Sequence, residues 1–266
     1  MSNLIQKTFE VSNISSISIG APGKLFLVQS GDETLSIEAP QAFFDEVEIK
    51  NEDGQLAIHL RTSHILQWLF RQAFSFQSDQ VTYRIGVNQL NHLSLGGDII
   101  AEVGTIKSEN LKISNSGSIK ARFEALQVAN ELMIKNSGSV KAQLDTIAAN
   151  IVELSVSGSA DLDVANVKAD TINTRASGSM KFSALAGEIN QQSVHISGSG
   201  NYDAWKIRSN STELHISGSG KAKIWAENAL KIHVSGSGTI HYHGNANVEQ
   251  HVSGAGSIKK LDADAQ

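Results

Sequence analysis

Leu154-Ser155-Val156-Ser157-Gly158-Ser159-Ala160-Asp161-Leu162-Asp163-Val164 is the stretch on which the fold turns. Leu154 and Val156, apolar, stand four and two places before the glycine; Ser155 and Ser157, polar, stand three and one before it. Alternation resumes on the far side, as it does in Ile119, Ala121 and Phe123 against Ser118, Lys120 and Arg122. Period two on both flanks means strands, because a helix would space its apolar residues three to four apart. The Ser-Gly-Ser core recurs with its glycine at Gly117, Gly138, Gly158, Gly178, Gly198, Gly218 and Gly236, and as Ser-Gly-Ala at Gly254. The steps are 21, 20, 20, 20, 20, 18 and 18 residues, and Leu95-Gly96-Gly97-Asp98 fits as a degenerate earlier copy.

A repeat of this length made of strands is one coil of a solenoid. The glycines read as structural corners, where a residue able to adopt the left-handed αL conformation turns the chain most cheaply. A second mark falls eight residues earlier, at Asn130, Asn150, Asp170, Asn190, Asn210 and Asn228, and reads as a second corner. The expected fold is therefore all-β: a single-stranded parallel β-helix of about 20 residues per coil, stacked about 4.8 Å apart. Steps of 20 and 21 favour the right-handed form. Composition agrees: 17 of the 22 glycines follow residue 90, no proline follows Pro40, and large rings are scarce after residue 90. Proline would delete a ladder bond, and a narrow core leaves little room for rings.

The organisation expected is one domain over 1–266. Residues 1–90 are irregular opening coils and cap, 91–260 the regular coils, and 261–266 a tail. Strands alternate at Lys24–Gln29, Thr34–Glu38 and Gln55–Leu60, with Gly31 and Asp53-Gly54 supplying turns. Within the opening part, His64–Phe76 has helical spacing at Ile65, Trp68, Leu69 and Phe76 and holds three of the nine phenylalanines. It reads as a helical cap over the first coil, with a membrane-surface or partner-docking element as the alternative.

A net charge of −5 leaves no basic surplus for phosphates, so nucleic acid is excluded as a partner. Absence of cysteine removes disulfides, thiol nucleophiles and thiolate metal clusters. No apolar run reaches the roughly 18 residues of a transmembrane segment. Met1–Gly20 shows no basic stretch followed by an apolar one, so no signal peptide is expected there and a cytoplasmic location stays open.

The chain resembles the bacterial putative autotransporter adhesin, head GIN domain family. The resemblance rests on Val28-Gln29-Ser30-Gly31-Asp32, Ser36-Ile37-Glu38-Ala39-Pro40, Glu52–Ile58 and Val87-Asn88-Gln89-Leu90. It rests also on the Ser-Gly-Ser-Gly rungs at Ser197–Gly200, Ser217–Gly220 and Ser235–Gly238, and spans about residues 8–258. It implies a right-handed β-helix without established catalytic residues, and a role in adhesion at the cell envelope or outside the cell.

Any chemistry would lie on the outward rows. Asp161 and Asp163, flanked by Lys141 and Lys181, form the best acidic cluster. They read as a neutralised charge ladder; the alternative is the site of a polysaccharide lyase or hydrolase. Two adjacent carboxylates supply too few oxygens for calcium. The Ser-Gly-Ser units lack the strand-to-helix context of a nucleophile elbow, and the Gly-x-Gly units are followed by strands. His195, His215, His233 and His251 stand three residues before successive glycines, so they would form a surface ladder with rings about 4.8 Å apart. The ladder reads as a solvated stack, with metal binding as the weaker alternative. His241 and His243 are expected to point elsewhere. Serines beside each glycine are expected to bond one another along the stack, and Asn115 and Asn136 to form a short buried amide ladder.

The sequence thus leads to a non-enzymatic cell-envelope or extracellular surface module, with no catalytic residue, cofactor or required metal. It would bind a surface protein or a carbohydrate through its faces. The alternatives are the carbohydrate-active enzyme and a structural module forming homo-oligomers by end or face stacking.

Overall fold

A coil stacked on copies of itself pairs nearly every backbone N–H and C=O with the coil above or below, which is what an in-register strand repeat requires. The computed structural model describes residues 4–61 and 79–261. The chain is a β-solenoid of about eight turns spaced about 20 residues apart, the parallel β-helix expected. The expected helix at 64–76 lies outside the described residues, as does the tail beyond Leu261.

The opening part comprises β1 (Leu4–Phe9), β2 (Ser16–Ile19), β3 (Gly23–Gln29), β4 (Thr34–Pro40), α1 (Gln41–Glu46), β5 (Val47–Glu52), β6 (Gln55–Leu60), β7 (Thr82–Val87) and β8 (His92–Leu95). Chain order is not spatial order here. β2 lies parallel between β6 and β8, and β3 lies parallel between β7 and β9 (Asp98–Asn115). The β6–β7 coil is therefore outermost. It is closed by antiparallel strands: β5 on β6, β4 on β7, and β1 on β4. These cover a parallel edge that would otherwise invite pairing with another chain. The Asp53-Gly54 turn between β5 and β6 has both residues at positive φ, 49° and 78°, the twist that suits a two-residue hairpin. The short helix α1 follows Pro40 and buries Phe43 completely, its ring 6.2 Å edge-on to Tyr83.

The regular part follows as β10 (Ser118–Asn136), β11 (Ser139–Val156), β12 (Ser159–Ala176), β13 (Ser179–Ala184), β14 (Gly187–Ile196), β15 (Ser199–Ile216), β16 (Ser219–Val234), β17 (Thr239–His243), β18 (Asn247–Val252) and β19 (Ser257–Lys260). Most strands start one residue past a corner glycine and pair in parallel with the next coil at the same offset: Ser118 with Ser139, Ser139 with Ser159, Ser159 with Ser179. Between β11 and β12 the pairing lapses at Asp145/Ala165 and Asn150/Asp170, which divides each coil into three runs. The 21-residue step is absorbed by a register shift between Val128 and Glu131. The first 18-residue step is absorbed by shifts between Ala204 and Arg208 and between Ser209 and Ser211.

The corner glycines are needed for a reason other than the one expected. None of them adopts a positive φ; the glycines that do are Gly23, Gly31, Gly54, Gly187 and Gly244. Instead, a Cβ built on Gly178 would overlap the carbonyl oxygen of Gly158, and one on Gly158 that of Gly138. The same clash repeats along the row, starting with Gly117 against Gly97. Close approach of backbones, not left-handed turning, fixes this row as glycine. The Asn row likewise lacks positive φ. Its use is a side-chain ladder: Asn190 donates to Asp170 at 3.1 Å, Asn210 to Asn190 at 3.2 Å, and Asn228 to Asn210.

The core consists of stacked rows of inward residues, such as Val140, Ala160 and Met180 beside Val156, Ala176 and Ile196. Two inward rows flanking the corner exchange volume. Where the row before the corner grows to Ile196 and Ile216, the row after it shrinks to Gly200 and Gly220. A Cβ on Gly200 would lie 2.8 Å from the Ile196 side chain. That exchange is the packing reason for the Ser-Gly-Ser-Gly rungs. Among the described residues, no helix is long and apolar enough to cross a membrane.

Candidate functional site

Two outward surfaces flank the row of corner glycines. On the side that follows the corner, Ser118, Ser139, Ser159, Ser179, Ser199 and Ser219 stand in register. Period two places the row Lys120, Lys141, Asp161, Lys181, Asn201, Lys221 beside them on the same face. Together they line an open trough of about 560 Å³ that crosses six coils. Among the described residues, the hydroxyls of this serine row make no hydrogen bond to the protein.

The acids of this face are engaged. Lys181 Nζ lies 3.0 Å from Asp161 and 3.8 Å from Asp163, and Lys141 Nζ is 3.9 Å from Asp161. The hydrogen bond to Asp161, then its charge and that of Asp163, raise the Lys181 pKa. Further pairs are Arg122 with Asp145 at 3.1 Å and Lys223 with Asp203 at 3.8 Å. Asp161 and Asp163 thus form the neutralised charge ladder expected. Lys120 and Lys221, at the two ends of the trough, carry no ion pair among the described residues.

On the side that precedes the corner, the histidine ladder forms as its spacing predicts. His195 and His215 stack at 4.4 Å with 7° between planes, and His215 and His233 at 4.6 Å with 6°. The last ring breaks the stack: His251 lies 5.2 Å from His233 and is tilted by 56°. Glu213, two residues before His215 on the same outward face, has Oε1 3.0 Å from His215 Nε2. That bond holds the Glu213 carboxyl below its ordinary pKa. Burial, then the charges of His215 and Arg175, lower the pKa of His195. Ligand atoms of Glu213, His215 and His233 all lie within 4.8 Å of one another. A hollow of about 410 Å³ opens beside the row, lined by His215, His233 and His251 with Ser217, Ser235 and Ser253.

Two smaller expectations are corrected. Serines just before the corner do not bond one another: Ser137, Ser157, Ser197 and Ser253 hydroxyls donate to backbone carbonyls of the preceding coil, Asn115, Asn136, Ala176 and Val234, at 3.3 to 3.5 Å. A hydroxyl beside a stacked backbone meets a carbonyl sooner than another hydroxyl. Asn115 and Asn136 are buried and in register, yet their amides do not pair. Asn136 Nδ2 donates to the carbonyls of Gly138 and Ser159, at 3.1 and 2.8 Å.

Two clusters escaped sequence reasoning. His243 is buried between Trp205 and Trp225, each ring 4.2 Å away, with Nε2 3.1 Å from the Trp205 carbonyl oxygen. Trp225 Nε1 donates to Glu227 at 2.9 Å, and Arg208 joins the same oxygen at 3.0 Å. The signal was there: residues 205, 225 and 243 each lie seven past a corner glycine. Inside the core, Tyr202 donates to Gln192 Oε1 at 3.1 Å, and Gln192 Nε2 donates to Ser209 and Thr212, both at 3.0 Å. Phe182 stacks on Tyr202 at 4.8 Å. Burial drives the Tyr202 pKa far upward.

A family model described as "Putative auto-transporter adhesin, head GIN domain" matches residues 13–138 and 126–246. Among solved structures, a "putative adhesin" of Parabacteroides distasonis is 22% identical, with 98% of each chain covered and a TM-score of 0.66. A "putative adhesin" of Parabacteroides merdae is 17% identical, covering 97% of this chain and 96% of that one, with a TM-score of 0.64. A "putative lipid binding protein" of Parabacteroides distasonis is 21% identical, covering 98% and 97%, with a TM-score of 0.60. At these identities the likeness is one of fold. Among curated proteins no sequence matches the chain.

Proposed function

The chain belongs to the family described as "Putative auto-transporter adhesin, head GIN domain", and on that premise we propose that it is a non-enzymatic adhesin of the cell envelope that binds an extended polysaccharide along its serine-lined trough. The observation that carries this reading is the row of six exposed hydroxyls, Ser118 to Ser219, which make no hydrogen bond to other described residues and repeat at the strand spacing of about 4.8 Å. A regular line of donors and acceptors suits a polymer with regularly placed hydroxyls, and a polar contact surface needs no closed pocket. Lys120 and Lys221 favour an anionic chain. The enzymatic alternative finds less support, because a lysine ammonium engages both acids it would use.

A glycan array carrying neutral and uronate-containing polysaccharides tests the proposal. Binding to uronate-containing chains is expected, lost in Ser159→Asp/Ser179→Asp and weakened in Lys120→Glu/Lys221→Glu. An array without binding, or binding indifferent to both variants, would refute it. Release of new reducing ends from a bound polysaccharide would replace it with the enzyme.

One observation favours a second reading, end-to-end assembly. β18 pairs only with β16, and β19 only with β17, so among the described residues their outer edges carry no partner. Light scattering showing a concentration-dependent dimer that proline substitution in β18 abolishes would support it.

A further inference from the structure

We propose that Glu213, His215 and His233 form a binding site for one late first-row divalent transition-metal ion, with Zn²⁺ as the reference case. This goes beyond the adhesin reading and uses the opposite side of the glycine corner.

Three separate features meet there. Period two on β15 puts Glu213 and His215 on one outward face, and the coil register puts His233 directly over His215. One carboxylate oxygen and two imidazoles therefore converge, with all ligand atoms within 4.8 Å of one another and the first pair 3.0 Å apart. Two imidazoles and a carboxylate are a donor set that suits zinc, with the fourth position left to an outside ligand. The hollow of about 410 Å³ beside the rings supplies room for that ligand.

Parallel rings do not share an ion as they stand, because nitrogens on one Zn²⁺ at about 2.0–2.1 Å must lie closer than the stacking distance allows. A tilt of one ring about its Cβ–Cγ bond closes the gap. The row already accommodates such a tilt: His251 leans 56° from His233.

The rest of the ladder lacks the combination. His195 has Ser193 in place of the acid and Arg175 in the coil before it. His251 has Glu249, but Lys231 Nζ lies 4.0 Å from that carboxylate. Lys231 also stands in register with Glu213, yet reaches toward Glu249, which leaves Glu213 to His215.

The experiment is calorimetric titration of the untagged full chain with ZnCl₂ at pH 7.5, paired with electron paramagnetic resonance of the Cu²⁺-loaded protein. Expected are one ion per chain and nitrogen hyperfine structure from two imidazoles. His215→Asn and His233→Asn should each weaken binding at least about tenfold, since even outer-sphere partners are commonly worth that much. Glu213→Gln should weaken it less, and His241→Asn not at all, with far-ultraviolet circular dichroism unchanged throughout. Absence of saturable one-to-one binding overturns the proposal. So does an affinity indifferent to His215 and His233, or one that His251→Asn reduces as much as His233→Asn does.

Discussion

Replacing Gly178 by alanine separates two physical accounts of the repeat. If the corner needed left-handed backbone, asparagine would be tolerated there better than alanine, because its short polar side chain favours that conformation. The structure says otherwise: Gly178 lacks positive φ, and its Cβ would overlap the carbonyls of Gly158 and Ser157. Relief requires the two coils to part by about 1.5 Å, given ordinary contacts of about 3.5 Å. The bonds Ser177 N–H to Val156 O and Ser179 N–H to Gly158 O, at 2.9 and 3.0 Å, would then exceed hydrogen-bonding range. Two backbone bonds left unmade at about 1–3 kcal/mol each give a loss of about 2–6 kcal/mol. Gly31 is the contrast, with φ +88° and nothing within 4 Å of an added Cβ, so Gly31→Ala should cost only about 1–2 kcal/mol of backbone strain. Urea unfolding followed by circular dichroism measures each variant, and amide exchange across residues 156–199 locates the damage. The expected order is Gly178→Asn worst, then Gly178→Ala, then Gly31→Ala. Gly178→Asn milder than Gly178→Ala, or Gly178→Ala no worse than Gly31→Ala, would refute the close-approach account.

Tyr202→Phe removes the only donor that Gln192 Oε1 has among the described residues, so a loss of about 1–3 kcal/mol is expected in the same unfolding assay. An unchanged midpoint would show that the buried network is not cooperative. His92 has its pKa lowered, first by burial and then by Lys112 in the adjacent coil. The unfolded chain then binds the extra proton more readily, so stability is full above about pH 6.5 and falls as pH drops through that value. His92→Gln should therefore lose less Tm between pH 7.5 and 5.5 than the parent protein, and an equal loss would remove His92 as a cause.

Legibility followed the repeat. Within the regular coils every residue has an address, its offset from the nearest corner glycine, and equal offsets stack. That arithmetic yields the histidine ladder from His195 to His251, the lysine–aspartate face and the Asn row. It also contains the Trp205–Trp225–His243 sandwich, which emerges once the offset of seven is counted. Offsets do not say how a side chain ends its reach. The hydroxyl of Ser157 finds the carbonyl of Asn136, and Asn136 finds two carbonyls and not the amide of Asn115.

What the sequence determined alone is the periodicity: strands, the step of about 20 residues, in-register stacking and the identity of each outward row. Those are local alternation and chain arithmetic. Tertiary structure decided the rest. Glycine satisfies both a left-handed turn and a close backbone approach, and only the neighbouring coil shows that the second applies at Gly178. The opening strands carry no period, so nothing local could reveal that β2 inserts between β6 and β8. And the meeting of Glu213 with His215 and His233 depends on two rings from different coils and one carboxylate on the same strand, a relation that exists only once the coils are stacked.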